Sequence, residues 1–207
     1  MFSGLIRELA RVRRYENQIL CLESNLAPDI GDSIAINGIC LTAISSASDH
    51  FCVRLSDESA KSVAVENLHG VVHMEPALRL SDGLHGHIVQ GHIDAIGRIV
   101  RREALQNQTL IHIQADAKAL GRMIDKGSVC IDGVSLTINR VLEDCFELVV
   151  IPHTMQNTLL HSYEVGRRVN IETDIIVRTL EALLKRFASP QKGGINQDLL
   201  DSMALGY

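Results

Sequence analysis

The sequence predicts a mainly β protein: two tandem, homologous, six-stranded antiparallel Greek-key barrels followed by a C-terminal helix. Three observations carry this. The first is an internal repeat, the feature to seek before any other: residues 33–42 read SIAINGICLT and residues 128–137 read SVCIDGVSLT, with five of ten positions identical. The second is that other landmarks recur in the same order. SGLI at 3–6 aligns with QGHI at 90–93, and VHME at 72–75 with VNIE at 169–172. The third is texture. Both units consist of short runs of branched residues punctuated by Gly, Asp, Asn and Ser, which is the pattern of short strands and turns.

Taken in order, the first unit offers strands at ILCLES (19–24), SIAING (33–38), ICLTAIS (39–45) and FCVRLS (51–56). The second repeats the texture in RIVRRE, TLIHIQ, SVCIDG, VSLTINRV, FELVVI and RVNIET. Two sets of about six short strands suggest two small antiparallel barrels. NG at 37–38 and DG at 132–133 are hairpin or bulge signals at one equivalent place in each unit. From Asp174 the pattern changes: Ile176, Leu180, Leu183, Leu184 and Phe187 fall on one face of a helix that Thr173 or Asp174 can cap. Such a stripe must cover something, and a partner subunit is the expected occupant. The domain plan is a first barrel at 1–86, a second at 87–173, an assembly helix at 174–188 and a flexible tail at 189–207, set off by the SPQKGG break.

Composition narrows the function. The 207 residues carry a formal net charge of −5, so the basic face of a nucleic-acid binder is not expected. Aromatic residues are scarce and Trp is absent, which weakens any base-stacking platform. No apolar run is long enough for a membrane span, and the N-terminal apolar stretch is too short for a secretory signal. The five cysteines, Cys21, Cys40, Cys52, Cys130 and Cys145, are odd in number and lack CxxC spacing. Neither a disulfide framework nor a zinc site is expected, and free thiols point to a cytoplasmic protein. No P-loop, nucleophile elbow or GxGxxG within a βαβ unit is present.

Two motifs could carry chemistry. In each repeat a small polar residue, Cys40 or Ser135, follows the Gly turn, and Thr42 or Thr137 lies two positions on, on the same strand face. That face suits hydrogen bonding to a planar heterocycle or a polyol, although one copy alone would read as an ordinary turn and strand. The second motif is GHIVQGHI at 86–93. On a strand, His87 and His92 would point to opposite faces and could not share a metal. They read first as structural histidines, with one of them as a proton carrier left open.

MFSGLI, GDSIAINGICLT, GHIVQGHIDAIG, KGSVCIDGVSLTI, IPHT and VNIETD together resemble the riboflavin synthase family, the trimeric type with two homologous lumazine-binding barrels. The likeness runs over residues 1–186. It implies a transferase in which two molecules of 6,7-dimethyl-8-ribityllumazine exchange a four-carbon unit. The products are riboflavin and 5-amino-6-(ribitylamino)pyrimidinedione, in the last step of riboflavin biosynthesis. It further implies no cofactor and no metal, a cytoplasmic homotrimer, an association with lumazine synthase, and neither nucleic-acid nor membrane partners. Two copies of one substrate explain two similar pockets, because holding both removes much of the entropy cost of a bimolecular step.

The resemblance also implies site residues. The first pocket would use Gly4, Leu5 and Ile6, then Cys40, Leu41 and Thr42, then Arg54, Leu55, Ser56, Asp57, Glu58 and Ser59, with Ser33 nearby. The second would use Gly91, His92 and Ile93, then Lys126, then Ser135, Leu136 and Thr137, then Ile151, Pro152, His153, Thr154, Met155 and Gln156. His92, Ser135 and Cys40 are the candidates for moving protons or orienting water. The chain departs from the family in the first unit, where Ser59 replaces a common Thr and Val63 stands where a second Thr is common. The alternative reading is a non-catalytic lumazine or flavin carrier of the same fold. Such carriers tend to lose parts of the second turn and of the GHxxxGHI joint, and both are intact here. A flavin oxidoreductase on a related barrel would need a nucleotide-binding αβ domain, for which the chain has no segment.

Overall fold

The computed structural model describes residues 1–188, so the tail expected at 189–207 lies outside the described residues. The first barrel closes from β1 (Glu8–Glu16), β2 (Ile19–Glu23), β3 (Ser33–Ile36), β4 (Ile39–Ser46), β5 (His50–Arg54) and β6 (Val71–Pro76), with spatial order β1-β2-β5-β4-β3-β6. A short helix, α1 (Asp57–Ser62), follows β5. The second barrel uses β7 (Ala95–Leu105), β8 (Gln108–Gln114), α2 (Ala117–Leu120), β9 (Ser128–Ile131), β10 (Val134–Val141), β11 (Cys145–Val150), α3 (Pro152–Asn157) and β12 (Arg168–Thr173). Read from β7, its order is β7-β8-β11-β10-β9-β12, the same circuit.

The duplication extends to irregularities. Register shifts fall between Val12 and Arg14 in β1 and between Ile99 and Arg101 in β7; they recur between Ala43 and Ser45 in β4 and between Ile138 and Arg140 in β10. Bulges of this kind bend and twist strands, which a small closed barrel requires. Each barrel has its own core. Leu20, Leu22, Ile34, Phe51 and Met74 fill the first. Ile99, Ile111, Val129, Phe146 and Val169 fill the second. Phe51 and Phe146 occupy equivalent, fully buried positions.

The NG and DG signals resolve as two-residue hairpin turns. Asn37 and Gly38 have φ of 45° and 78°, and Asp132 and Gly133 have φ of 44° and 87°. Positive φ at both central positions is the geometry that matches strand twist. The two turn tips meet at the junction between the barrels, and a side chain on Gly38 would strike the Gly133 backbone.

The same junction holds a buried polar lattice with local two-fold pseudosymmetry. His73 Nδ1–H donates to the Asp132 carbonyl at 2.8 Å, and the Asn170 amide donates to the Asn37 carbonyl at 2.9 Å. His73 Nε2 accepts from the Leu159 amide, as Asn170 Oδ1 accepts from that of Ala64. Tyr163 adds a hydroxyl to the Asp132 carboxylate at 2.6 Å.

The thiol expectation is corrected. Cys21 and Cys52, directly opposed on β2 and β5, form a disulfide, leaving Cys40, Cys130 and Cys145 free. Their separation of 31 residues within an odd set gave no pairing signal. The C-terminal helix, α4, runs Ile175–Ala188. The Asp174 carboxylate caps it by accepting from the Ile176 amide at 2.7 Å. Among the described residues no helix is long and apolar enough to cross a membrane.

Candidate active site

The strands that follow the two turns, β4 and β10, carry Cys40 and Ser135, two of the residues expected at the site. Cys40 leads β4 opposite Ala35 of β3, and Ser135 leads β10 opposite Cys130 of β9. Each is half-buried and faces an irregular segment with a glycine at its centre. The Cys40 amide donates to the carbonyl of Gly91 at 2.9 Å, and the Ser135 amide donates to that of Gly4 at 2.8 Å. Both glycines have φ near the left-handed region, 77° for Gly4 and 78° for Gly91. A Cβ on either would come within 2.6 Å of its neighbour's own Cβ, so only glycine allows this approach.

These contacts overturn the expected grouping of residues. The segment holding Gly4, Leu5 and Ile6 belongs to the second barrel's site, and Ile6 packs on that barrel's core. The segment holding Gly91, His92 and Ile93 belongs to the first barrel's site, and Ile93 packs on the first core. The leading segment of each repeat thus crosses to the other barrel. Phe2 and Val89 pair as an isolated antiparallel bridge where the two segments pass. A buried carboxylate fastens each crossing. Glu75 accepts from the Ser3 amide and hydroxyl and from the Gly4 amide, at 2.7, 2.8 and 3.0 Å. Glu172 accepts from the amides of Gln90, Gly91 and His92, at 2.7, 2.8 and 3.0 Å. Burial pushes the pKa of both carboxyls up, and the converging amides oppose that shift.

A cavity of about 210 Å³ opens at the first site, lined by Ile39, Cys40, Glu58, Ser59, Ser62, Val63, Gly91, His92 and Ile93. Helix α1 supplies one wall. Its cap is Ser56, whose hydroxyl accepts from the Ser59 amide at 3.0 Å. Cys40 and His92 therefore share one pocket. At the second site Ser135 has a different partner: His87 Nδ1 lies 2.7 Å from Ser135 Oγ. Burial holds His87 below the ordinary imidazole pKa, and its Nε2 is buried with no hydrogen-bond partner among the described residues. Apart from the Phe2–Val89 bridge, 86–93 is not a strand, so the opposite-face argument for the two histidines does not apply; they lie beside different barrels' turns.

Other expected residues scatter. Leu41 and Leu55 are buried in the first core, and Met155 in the second; Leu136 packs beside the second core. Asp57 turns away to the Gln18 amide group, and Arg54 is exposed at the end of β5. Ser33 faces a different cavity, with Asp29, Asp32 and Arg79. Thr42 and Thr137 are exposed on their strands, as is Lys126, whose ammonium donates to Asn139 at 2.5 Å. Ile151, Pro152, His153, Thr154 and Gln156 form the α3 segment, the counterpart of α1. The residues that sequence reasoning undervalued are His87, Glu75 and Glu172. The two glutamates were legible as the shared Glu of VHME and VNIE.

Comparison with known proteins matches this architecture. Residues 3–76 and 90–174 each match the lumazine binding domain family. The riboflavin synthase of Actinobacillus pleuropneumoniae is 34% identical over 97% of this chain and 98% of its own length. That of Bacillus subtilis is 32% identical over 90% of this chain and 91% of its own. Among solved structures, LumP complexed with riboflavin superposes with a TM-score of 0.74. It covers 84% of this chain and 99% of that one at 17% identity, a likeness of fold.

Proposed function

The chain belongs to the riboflavin synthase family, and we propose that its two exchanged turn–strand sites are where the two substrate molecules are held. The activity is transfer of a four-carbon unit between two molecules of 6,7-dimethyl-8-ribityllumazine, giving riboflavin and the pyrimidinedione. The observation that carries the site assignment is the equivalence of Cys40 and Ser135. Each is a small polar residue whose amide is bonded to a left-handed glycine of the opposite repeat.

The chemistry asks for a proton to leave the C7 methyl of one lumazine and for protons to return as bonds form in the other. The methyl is acidic because its anion delocalises into the ring, so a modest base suffices. His87 held against Ser135 is an imidazole kept neutral by burial, able to exchange a proton through the hydroxyl. Cys40 with His92 supplies a second small polar pair in the first pocket. The Gly4 to Ile6 and Gly91 to Ile93 segments, held in place by Glu75 and Glu172, run beside the two sites and shape them for the substrate.

A homotrimer is part of this proposal. Ile176, Leu180, Leu183, Leu184 and Phe187 of α4 are exposed in the single chain, and a second copy is the occupant that would cover them while bringing a first-barrel pocket to a second-barrel site. An association with lumazine synthase is carried with the trimer and is tested by cosedimentation. Incubating the purified protein with the dimethyl lumazine, and measuring riboflavin by fluorescence, tests the activity. Binding without product would leave a carrier.

A further inference from the structure

Glu172 sits on β12 of the second barrel, yet three of its hydrogen bonds go to the segment that walls the first barrel's pocket. Among the described residues nothing else accepts from those three amides. Directly downstream, Gly91 receives the Cys40 amide and His92 faces the cavity. On the other side, Glu172 meets Arg178 of α4 at 3.4 Å. Arg178 also reaches the Gln90 side chain at 3.2 Å and Asp94 at 3.4 Å. Asp94 in turn accepts from the Thr173 amide and hydroxyl. The first repeat has the same carboxylate, Glu75, on the same kind of segment, and among the described residues no arginine is within ion-pair distance of it.

We infer that Glu172 is a positioning residue for the first-barrel pocket, holding Gly91 and His92 over Cys40, and that Arg178 links this clamp to the assembly helix. The inference rests on the reading of that pocket as a substrate site and deepens it. Its physical basis is donor–acceptor matching. The three amides are donors only, and a carboxylate offers two acceptor oxygens to them. Each bond is charge-assisted and therefore strong. Glutamine has the same size but replaces one oxygen with NH₂, a donor facing a donor. One or two of the three amides then lose their acceptor, and the segment lifts. Misplacement of about 1 Å at a reacting centre is enough to cost about 10²-fold in rate.

The test uses the full chain with Glu172→Gln, with Glu75→Gln as the matched control, since it removes an equally buried carboxylate from the opposite site. The direct readout is the alkylation rate of Cys40, followed by mass on the peptide that contains it, because Gly91 packs against the Cys40 backbone and Cβ and lines the same cavity. Glu172→Gln is expected to raise the rate about tenfold and to lower kcat/KM by about 10²-fold, mostly in kcat. Glu75→Gln should leave Cys40 reactivity within twofold of the unmodified chain. Arg178→Gln, which keeps the carboxylate and removes its link to α4, should shift Cys40 in the same direction by a smaller factor. It serves as the second variant should Glu172→Gln fail to fold. Equal Cys40 rates in the Glu172 and Glu75 variants overturn the inference, as does an unchanged rate in Arg178→Gln together with Glu172→Gln. A raised rate with lumazine binding and turnover both unchanged supports the clamp and overturns the substrate reading of the pocket.

Discussion

Gly38 and Gly133 meet tip to tip, so closely that a Cβ on Gly38 would lie 2.6 Å from the Gly133 amide nitrogen. The contact joins equivalent residues of the two repeats and leaves no room for a side chain on either. Gly38→Ala should destabilise the chain twice over. Forcing a non-glycine residue to positive φ costs about 1–3 kcal/mol, and the overlap across the junction adds to it. Gly70→Ala is the control, because Gly70 also has positive φ, 64°, but nothing lies near its missing Cβ. Denaturant unfolding should rank Gly38→Ala clearly below Gly70→Ala; equal losses would remove the junction from the account.

The junction should also show in the pH dependence of stability. Burial lowers His73 to about 4 and raises Asp132 to about 6. A depressed histidine contributes stability that is present above its unfolded value of about 6.5 and is lost as pH falls toward 4. A raised aspartate contributes stability that is present below its unfolded value of about 4 and is lost as pH rises through 6. The two slopes oppose each other in one window. His73→Gln should therefore leave a chain that loses stability between pH 4 and 6, and Asp132→Asn one that gains it. The limit is about 1.4 kcal/mol per pH unit for one proton. Chemical denaturation across that range measures both signs.

At the second site, Ser135→Ala and His87→Ala should each lower kcat more than they weaken lumazine binding, by about 10²–10⁴-fold if they carry the proton. The double variant should cost little more than either alone, because the two act as a unit. Thr137→Val should raise KM and spare kcat. Cys40→Ser should be mild, since serine already stands at the equivalent place. Steady-state kinetics with fluorescence titration decides; loss of turnover in Cys40→Ser with full activity in His87→Ala would reverse the roles.

Assembly should depend on α4. Leu180 and Leu184 are exposed in the single chain, and burial of each in an interface contributes roughly 1.5–3 kcal/mol. Replacing both with Asp should shift sedimentation from trimer to smaller species.

The exchanged segments change what a fragment of the first barrel can do. Residues 1–86 contain all six strands but lack Gly91, His92 and Ile93. A fragment extended through residue 93 should quench lumazine or riboflavin fluorescence at lower ligand concentration than one ending at 86. Identical titrations would mean the wall is dispensable for binding.

Much of this was legible in the sequence. The repeat, the turns and the one-faced helix follow from local rules, because NG, DG and helical spacing act over a few residues. The crossing of residues 2–6 and 89–93 was not legible, since it depends on where a loop lands in space. For the same reason His87, and not His92, proved to be the partner of Ser135. At 86–93 a left-handed Gly91 and the Glu172 carboxylate, not a strand ladder, hold the backbone, so strand alternation says nothing about where His87 and His92 point. Leu41, Leu55 and Met155 sit in site-like motifs but point inward, as strand alternation and helix burial demand. The Cys21–Cys52 pairing needed the β2–β5 register, which no spacing rule supplies.

The crossing has a consequence for how the chain is made. Phe2 to Ile6 cannot take their final places until β10, well over a hundred residues later in the chain, has been synthesised. A barrel of six strands can close earlier, but with its opening segment unplaced and its own wall not yet translated. Phe2, which ends fully buried, stays in water through that interval. Long-range closures of this kind are slow steps, so the docking of residues 2–6 waits on the second barrel. A bulky group placed ahead of Phe2 would accordingly be felt at Ser135, in the barrel opposite the one those residues lead into.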